Sequence, residues 1–88
     1  MIVVELVFTD DPRRLAARPA HRARLTELRA AGVLVLAGPW ADDSGALLLF
    51  DCDAAALSEI LAADPYYRTP GVTIRIRREY RPLWTLTS

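Results

Sequence analysis

Two apolar runs decide the fold: Val33-Leu-Val-Leu-Ala37 and Ala46-Leu-Leu-Leu-Phe50, on either side of the polar turn Trp40-Ala-Asp-Asp-Ser-Gly45. Each run has the length and the aliphatic composition of a strand, and Gly38-Pro39 ends the first one. We therefore predict two adjacent strands joined by the turn. Because both strands are apolar on both faces, both sides of the sheet that contains them need cover from water.

One strand and one helix are predicted before this pair. Residues 2–8 alternate as a strand does, with Ile2, Val4, Leu6 and Phe8 on one face. The first helix is predicted over Pro19 to Ala31, with Pro19 at its first position and Gly32 ending it. Thr9 to Ala17 is then a connecting segment, because Pro19 would interrupt any helix that ran through it.

A second helix and a last strand are predicted after the pair. Asp53 is a suitable N-cap for a helix over Ala54 to Ala63, and Asp64-Pro65 ends it. Tyr66 to Gly71 is predicted as a loop and Val72 to Arg78 as a strand. The inward side chains of that strand are expected to alternate with outward ones: Val72, Ile74 and Ile76 inward, and Thr73, Arg75 and Arg77 outward.

The order β-α-β-β-α-β predicts a ferredoxin-like α+β fold, a four-stranded antiparallel sheet with both helices on one face. We interpret residues 1–88 as a single domain. The second sheet face would remain apolar and exposed in a monomer, so we predict a homodimer, a dimeric α+β barrel formed through the open sheet faces. Glu5 and Arg75 are predicted to pair on that outer face.

The composition argues against several classes of function. Eleven arginines balance eleven acidic residues, so no net field attracts nucleic acid or an anionic membrane surface. A lone Cys52 and the absence of a signal-peptide pattern favour the cytoplasm. One histidine and one cysteine without clustered ligands argue against a metal site, and no phosphate-binding glycine loop is present. The use of arginine as the only basic residue besides His21 is typical of a bacterial protein from a GC-rich genome.

His21 is the one histidine, and it stands near the start of the predicted first helix, on the same stripe as Leu25 and Leu28. It is either a satisfied structural residue or part of a site. In the predicted topology, His21, Gly38-Pro39-Trp40, Asp64-Pro65-Tyr66-Tyr67 and Thr69-Pro70-Gly71 converge on one rim. An imidazolium at a helix N-terminus and a carboxylate at a helix C-terminus are each disfavoured alone, so we expect His21 and Asp64 to pair.

Three segments together resemble the YCII-related family: Arg18-x-x-His21, Ala31-Gly-Val-Leu-Val-Leu-Ala-Gly-Pro39, and Ala63-Asp-Pro-Tyr66 before a Gly-Val strand. The resemblance implies a dimeric ferredoxin-like barrel and a cleft with a His–Asp pair proposed as catalytic, at His21 and Asp64 here. A few members are dehydrochlorinases or act on chlorinated lactones. Trp40 and the segment Tyr80 to Ser88 depart from the family pattern.

The resulting hypothesis is a small-molecule enzyme without a cofactor, in which His21 and Asp64 transfer a proton in an elimination or isomerisation. Substrate-binding roles are predicted for a further set of residues: Arg18, Gly38, Pro39, Trp40, Tyr66 and Tyr67. Trp40 is either a pocket wall or a dimer contact, and Trp84 is expected to pack on the neighbouring subunit. The alternatives are a non-catalytic dimeric module that binds a small ligand or a protein, and a cofactor-free oxygenase.

Overall fold

The elements follow one another in the predicted order. The structure, a computed structural model, describes residues 1–84, so the last four residues of the unusual C-terminal segment lie outside it. The strands are β1 (Ile2–Phe8), β2 (Leu34–Pro39), β3 (Gly45–Phe50) and β4 (Val72–Glu79); the helices are α1 (Pro12–Ala30) and α2 (Ala54–Ala63), with a 3₁₀ helix over Pro65–Arg68.

The four strands form one sheet in the order β2-β3-β1-β4, and every neighbouring pair is antiparallel. Together with the element order, this is the ferredoxin-like α+β topology that the sequence predicts. β1 and β3 occupy the centre, and β2 and β4 are the edge strands. Pro39 continues β2 beyond its predicted end, which an edge strand tolerates because one of its sides carries no ladder.

The register of the central strands separates two apolar faces. Directly opposed residues of an antiparallel pair point to the same side. The inner face pairs Ile2 with Phe50, Val4 with Leu48, and Leu6 with Ala46, and all six side chains are buried. The outer face pairs Val3 with Leu49 and Glu5 with Leu47. Leu57 and Leu61 of α2 complete the core on the inner side.

The first helix is longer than predicted: it begins at Pro12, and Pro19 lies inside it. The predicted connection over Thr9 to Ala17 and the placement of His21 in a first turn are therefore wrong. The N-terminal extension is stabilised by the side chain of Asp11, which accepts a hydrogen bond from the Arg13 amide at 2.9 Å, and by Pro12 at the first position. These contacts outweigh the one helical hydrogen bond that Pro19 removes. Gly32, with φ 78°, ends the helix as predicted.

A side-chain contact also anchors this extension to the strand before it. The guanidinium of Arg14 is buried, lies 4.4 Å from the ring centre of Phe8, and donates from Nε to the carbonyl oxygen of Thr9 at 3.2 Å. The polar composition of this segment did not indicate that Arg14 packs against the rest of the fold.

The predicted alternation of inward and outward side chains along β4 is interrupted by an irregularity in its pairing with β1. The register of β1 against β4 shifts between Glu5 and Leu6, so that Ile76 lies opposite Glu5 and Arg77 lies opposite Val4. Ile76 therefore belongs to the outer face and Arg77 to the helix side, where it donates to Ser58 at 2.7 Å. A bulge adds one residue to one strand and reverses the facing of all that follow, which strict alternation does not anticipate.

Two further predictions concern local features of the outer face and of the segment after α2. Arg75 and Glu5 do contact each other, at 3.8 Å, with Arg75 exposed and Glu5 half-buried, and such a pair at the surface contributes little to stability. The predicted loop from Tyr66 to Gly71 instead begins with a 3₁₀ turn, which Pro65 starts and Asp64 caps. Among residues 1–84, neither helix has the length and apolar content needed to cross a bilayer.

Gly45 at the start of β3 is a position where the fold admits no side chain. A Cβ there would collide with the carbonyl oxygen of Leu6, whereas a Cβ at Gly38 would meet nothing within 4 Å. We predict that Gly45→Ala lowers the free energy of unfolding by about 1–3 kcal/mol through overpacking, measured by urea denaturation. Gly38→Ala is the matched control and is expected to change it by less than about 0.5 kcal/mol. Equal effects would contradict the packing argument.

Candidate functional site

A buried contact joins two distant parts of the chain. His21 extends from the middle of α1, and Asp64 follows the last residue of α2. Their side chains meet at 2.7 Å between Nδ1 and Oδ2, and both residues are buried. A carboxylate only accepts hydrogen bonds, so Nδ1 carries the proton of this contact. The predicted pairing of His21 with Asp64 is present, but the helix-dipole argument for it is wrong because His21 is not at a helix terminus.

Asp64 is fixed by its second oxygen. Oδ1 accepts a hydrogen bond from the backbone amide of Tyr66 at 3.0 Å, so both carboxylate oxygens have protein partners. This bond also caps the 3₁₀ turn that Pro65 begins. The sequence Asp64-Pro65-Tyr66 thus builds a rigid carboxylate: proline ends α2, and the following turn holds the acid in place.

Two tyrosine rings hold the imidazole in orientation. Tyr66 stacks on His21 with ring centres 4.0 Å apart and planes at 11°, and Tyr67 meets it edge-on at 5.3 Å. With Nδ1 bound to Asp64 as well, the ring has little freedom to rotate. Nε2 has no hydrogen-bond partner among residues 1–84 and is the nitrogen left for a ligand.

The electrostatic setting favours a neutral imidazole. Burial lowers the pKa of His21 below its usual value, and the hydrogen bond and charge of Asp64 offset this only in part. At neutral pH the ring therefore has a proton on Nδ1 and a lone pair on Nε2. A neutral, oriented imidazole of this kind is the form that accepts a proton.

His21 borders a cavity of about 660 Å³ between α1 and the edge strand β2. Residues of α1 form one wall, β2 forms the opposite wall, and side chains of β1, β3 and the 3₁₀ turn close the base. Asp64 does not line this cavity, so it lies behind the imidazole. The lining residues central to the site are Phe8, Arg18, His21, Arg22, Leu25, Arg29, Leu34, Leu36, Gly38, Pro39, Asp43, Leu48 and Tyr66.

The predicted site residues divide into two groups. Arg18, Gly38, Pro39 and Tyr66 line the cavity with His21. Trp40 and Tyr67 do not line it. Trp40 is partly exposed next to Gly45, and Tyr67 is buried behind the imidazole, where burial and the nearby charge of Asp64 raise the pKa of its phenol. Their proposed contact with substrate remains a prediction.

The sequence analysis did not predict three charged residues that line the cavity: Arg22, Arg29 and Asp43. Arg18 and Arg22 are four residues apart on α1, so helical spacing was the available signal for Arg22 once the helix was placed. Asp43 lies in the turn between β2 and β3 at φ 57°, and Arg18 contacts it at 3.4 Å. Arg14 reaches the same carboxylate at 3.3 Å. Only the folded chain brings this turn to α1.

Other reactive groups contribute less. Partial burial and the neighbouring charges of Asp53 and Asp51 raise the pKa of the Cys52 thiol, so Cys52 is a poor nucleophile. Within residues 1–84, no three His, Cys, Asp or Glu side chains are grouped so as to hold a metal ion.

Comparison with protein families matches residues 2–80 to the YCII-related domain. Since the match spans most of the chain, the chain belongs to the YCII-related family. No curated protein matches the chain.

We predict that an NMR titration places the pKa of His21 below about 6.5, the usual value of a histidine, because burial dominates. Asp64→Asn removes the charge that stabilises the imidazolium, so it is expected to lower this pKa further. Asp53→Asn is the matched control: it makes the same charge change at the other end of α2, and asparagine still caps a helix. A pKa above about 6.5, or one that Asp64→Asn leaves unchanged, would contradict this account.

The same pKa shift has a consequence for stability, with a definite sign. A histidine whose pKa is lower in the folded state binds protons more readily when unfolded, so protonation favours unfolding. The contribution of neutral His21 to the free energy of unfolding is therefore fully present above the pKa of the unfolded state, about 6.5. It is lost as the pH falls through that value toward the pKa of the folded state. Urea denaturation between pH 5 and pH 8 measures it as a difference between the wild type and His21→Phe.

Proposed function

We propose that this member of the YCII-related family is a small-molecule enzyme in which His21 acts as general base in the cavity and Asp64 positions and balances it. The observation that carries the proposal is the placement of the imidazole: one nitrogen is bound to a buried carboxylate at 2.7 Å, and the ring lines a cavity that the carboxylate does not reach. A structural histidine has no need of such a cavity.

The chemistry begins with abstraction of a proton from a carbon next to a carbonyl or lactone group. The C–H electron pair stays on the substrate as an enolate, and the proton binds Nε2 of His21. The resulting imidazolium forms a charge-assisted bond with Asp64, which lowers the free energy of the charged state. Tyr66 and Tyr67 keep the ring in the same orientation throughout.

Two reactions can follow from the enolate. In an elimination, a group on the adjacent carbon, such as chloride, leaves with its bonding electrons, and His21 later releases its proton to water. In an isomerisation, His21 returns the proton to a different carbon of the same substrate. Neither route requires a cofactor or a change of oxidation state.

The second candidate function is a non-catalytic module that binds a small ligand in the same cavity. The volume of the cavity favours it independently of the His–Asp contact, because about 660 Å³ is ample for a small organic molecule. The two candidates differ in one observable: a catalyst exchanges or eliminates at carbon, whereas a binding module returns its ligand unchanged.

We also propose that the protein is a homodimer through the outer face of the sheet. Val3, Leu47 and Leu49 line an apolar groove of about 490 Å³ there, and the segment after β4 borders the same groove. In that segment Leu83 is 89% exposed and Trp84 is 75% exposed. Two large apolar side chains so exposed at the rim of an apolar groove favour burial against a second copy.

The enzymatic proposal is tested with the full-length protein and a panel of chlorinated lactones, β-chloro acids and keto acids in D₂O, followed by proton NMR for exchange at carbon and by chloride release. We expect His21→Gln to lower the rate at least about 100-fold, the usual contribution of a general base. Ser58→Ala, which alters only an exposed contact with Arg77, is the control and is expected to retain the rate.

The pH profile separates catalysis by His21 from a structural effect. In the wild type the rate should rise with pH and level off above the His21 pKa. In Asp64→Asn this rise should move to lower pH, and the plateau should fall because the imidazolium loses its partner. Full activity of His21→Gln would exclude the base. Tight binding of a panel member with neither exchange nor elimination would favour the binding module.

The dimer is tested by sedimentation equilibrium. Leu47→Glu places a second carboxylate opposite Glu5 on the outer face, so we expect it to convert a dimer into a monomer. Leu15→Glu is the control, because Leu15 is an exposed apolar residue of α1 outside this face. A monomeric wild type, or a dimer unaffected by Leu47→Glu, would contradict the proposed interface.

A further inference from the structure

The cavity has a cationic wall made by one helix. Arg18, Arg22 and Arg29 all line it from α1, at spacings of four and seven residues. Residues at these spacings share one face of a helix, so the three guanidinium groups form a row along the cavity rather than surrounding it.

Most of this charge is unbalanced by protein groups. Arg18 contacts Asp43 at 3.4 Å, and Arg14 shares that carboxylate. Within residues 1–84, neither Arg22 nor Arg29 has a carboxylate within 4.0 Å. Among the described residues that line the cavity, Asp43 is the one acidic residue, against three arginines. A partly enclosed site with a net positive charge concentrates anions.

The opposite wall is apolar and belongs to the sheet. Ala37 and Pro39 of β2 lie opposite Leu48 and Ala46 on the inner face, and both are exposed where they line the cavity. Phe8 and Tyr66 lie at its base. Inorganic ions bring no apolar surface to such a wall, whereas a hydrocarbon or aromatic body gains free energy by covering it.

We infer that the cavity binds a small organic carboxylate, with its carboxylate group on Arg22 and its apolar body against Ala37 and Pro39. Arg22 and His21 both line the cavity, so the anionic group is held in the same space as the imidazole. Arg29 extends the positive field toward the other end of the cavity. Guanidinium groups match the planar geometry of a carboxylate and bind it through two parallel hydrogen bonds.

The inference rests on the proposed function only for the use of the bound molecule as a substrate. There, a carboxylate anchored at Arg22 fixes the distance from Nε2 to the reacting carbon. The positive charge of the wall also stabilises the enolate oxygen that develops as the proton leaves. Arg22 is thus the residue that decides which substrates bind.

The test uses binding alone and needs no turnover. Matched pairs of ligands, benzoate with benzamide, phenylacetate with phenylacetamide, and cyclohexanecarboxylate with its amide, are titrated into the ¹⁵N-labelled full-length protein. Inorganic phosphate is the third arm. We expect at least one carboxylate to bind about tenfold or more tightly than its amide, the difference that one charge-assisted contact provides, with shifts at His21 and along β2.

Variants of α1 assign the charge. Arg22→Gln is expected to weaken carboxylate binding about tenfold or more, and Arg22→Lys, which keeps the charge and loses the planar fork, to weaken it less. Arg24→Gln is the matched control, because Arg24 is exposed on the same helix and does not line the cavity. Proton spectra of the variants establish that each is folded.

Several results would overturn the inference: equal binding of carboxylates and amides, no binding of any carboxylate, equal weakening by Arg22→Gln and Arg24→Gln, or phosphate binding as tightly as the organic anions. The outcome is independent of catalysis. Carboxylate binding through Arg22 with no exchange at carbon would uphold the inference and refute the general base, whereas exchange on neutral substrates only would do the reverse.

Discussion

The contact between His21 and Asp64 is the interaction on which the arrangement of the site depends. Each side chain is buried, and a buried polar group without a partner destabilises the folded state. Meeting at 2.7 Å satisfies both, and it fixes the middle of α1 against the end of α2. Because Asp64 also caps the following turn, one carboxylate sets the orientation of the imidazole, the end of a helix and the placement of Tyr66.

The cavity exists because α1 and β2 differ in the chemistry that they present to each other. α1 carries arginines on the face that borders the cavity, and β2 carries aliphatic side chains opposite them. Close packing of these two walls would bury unpaired guanidinium groups, which is unfavourable. The two elements therefore stay apart at this point, and the resulting space lies next to the one histidine. On the other side of the sheet, the outer face is mainly apolar. Glu5 lies at its centre and contacts Arg75.

Local sequence signals were reliable where one residue type has one structural use. Asp53 caps α2 and Gly32 ends α1, as their side-chain chemistry and backbone freedom require. The same reasoning was wrong for Pro19, because a proline in a helix removes one hydrogen bond and does not by itself outweigh a strong cap at Asp11 and the anchoring of Arg14. It was also wrong for Ile76 and Arg77, since a bulge between β1 and β4 reverses their facing and leaves no local pattern in the chain.

The sequence by itself determined the element order and the antiparallel sheet, because hydrophobic periodicity, caps and topology restrict the chain to few arrangements. The pairing of His21 with Asp64 was expected from the family resemblance and from a helix-dipole argument that the longer α1 overturns. The cavity could not be predicted from these sequence patterns. Arg22 and Arg29 look like solvated helix residues until β2 is placed opposite them, and Asp43 joins them only through the turn that β2 and β3 share. The protonation of His21 depends likewise on how deeply the ring is buried against Tyr66 and Tyr67. Such properties arise from distances between residues far apart in the chain, and only the tertiary structure decides those distances.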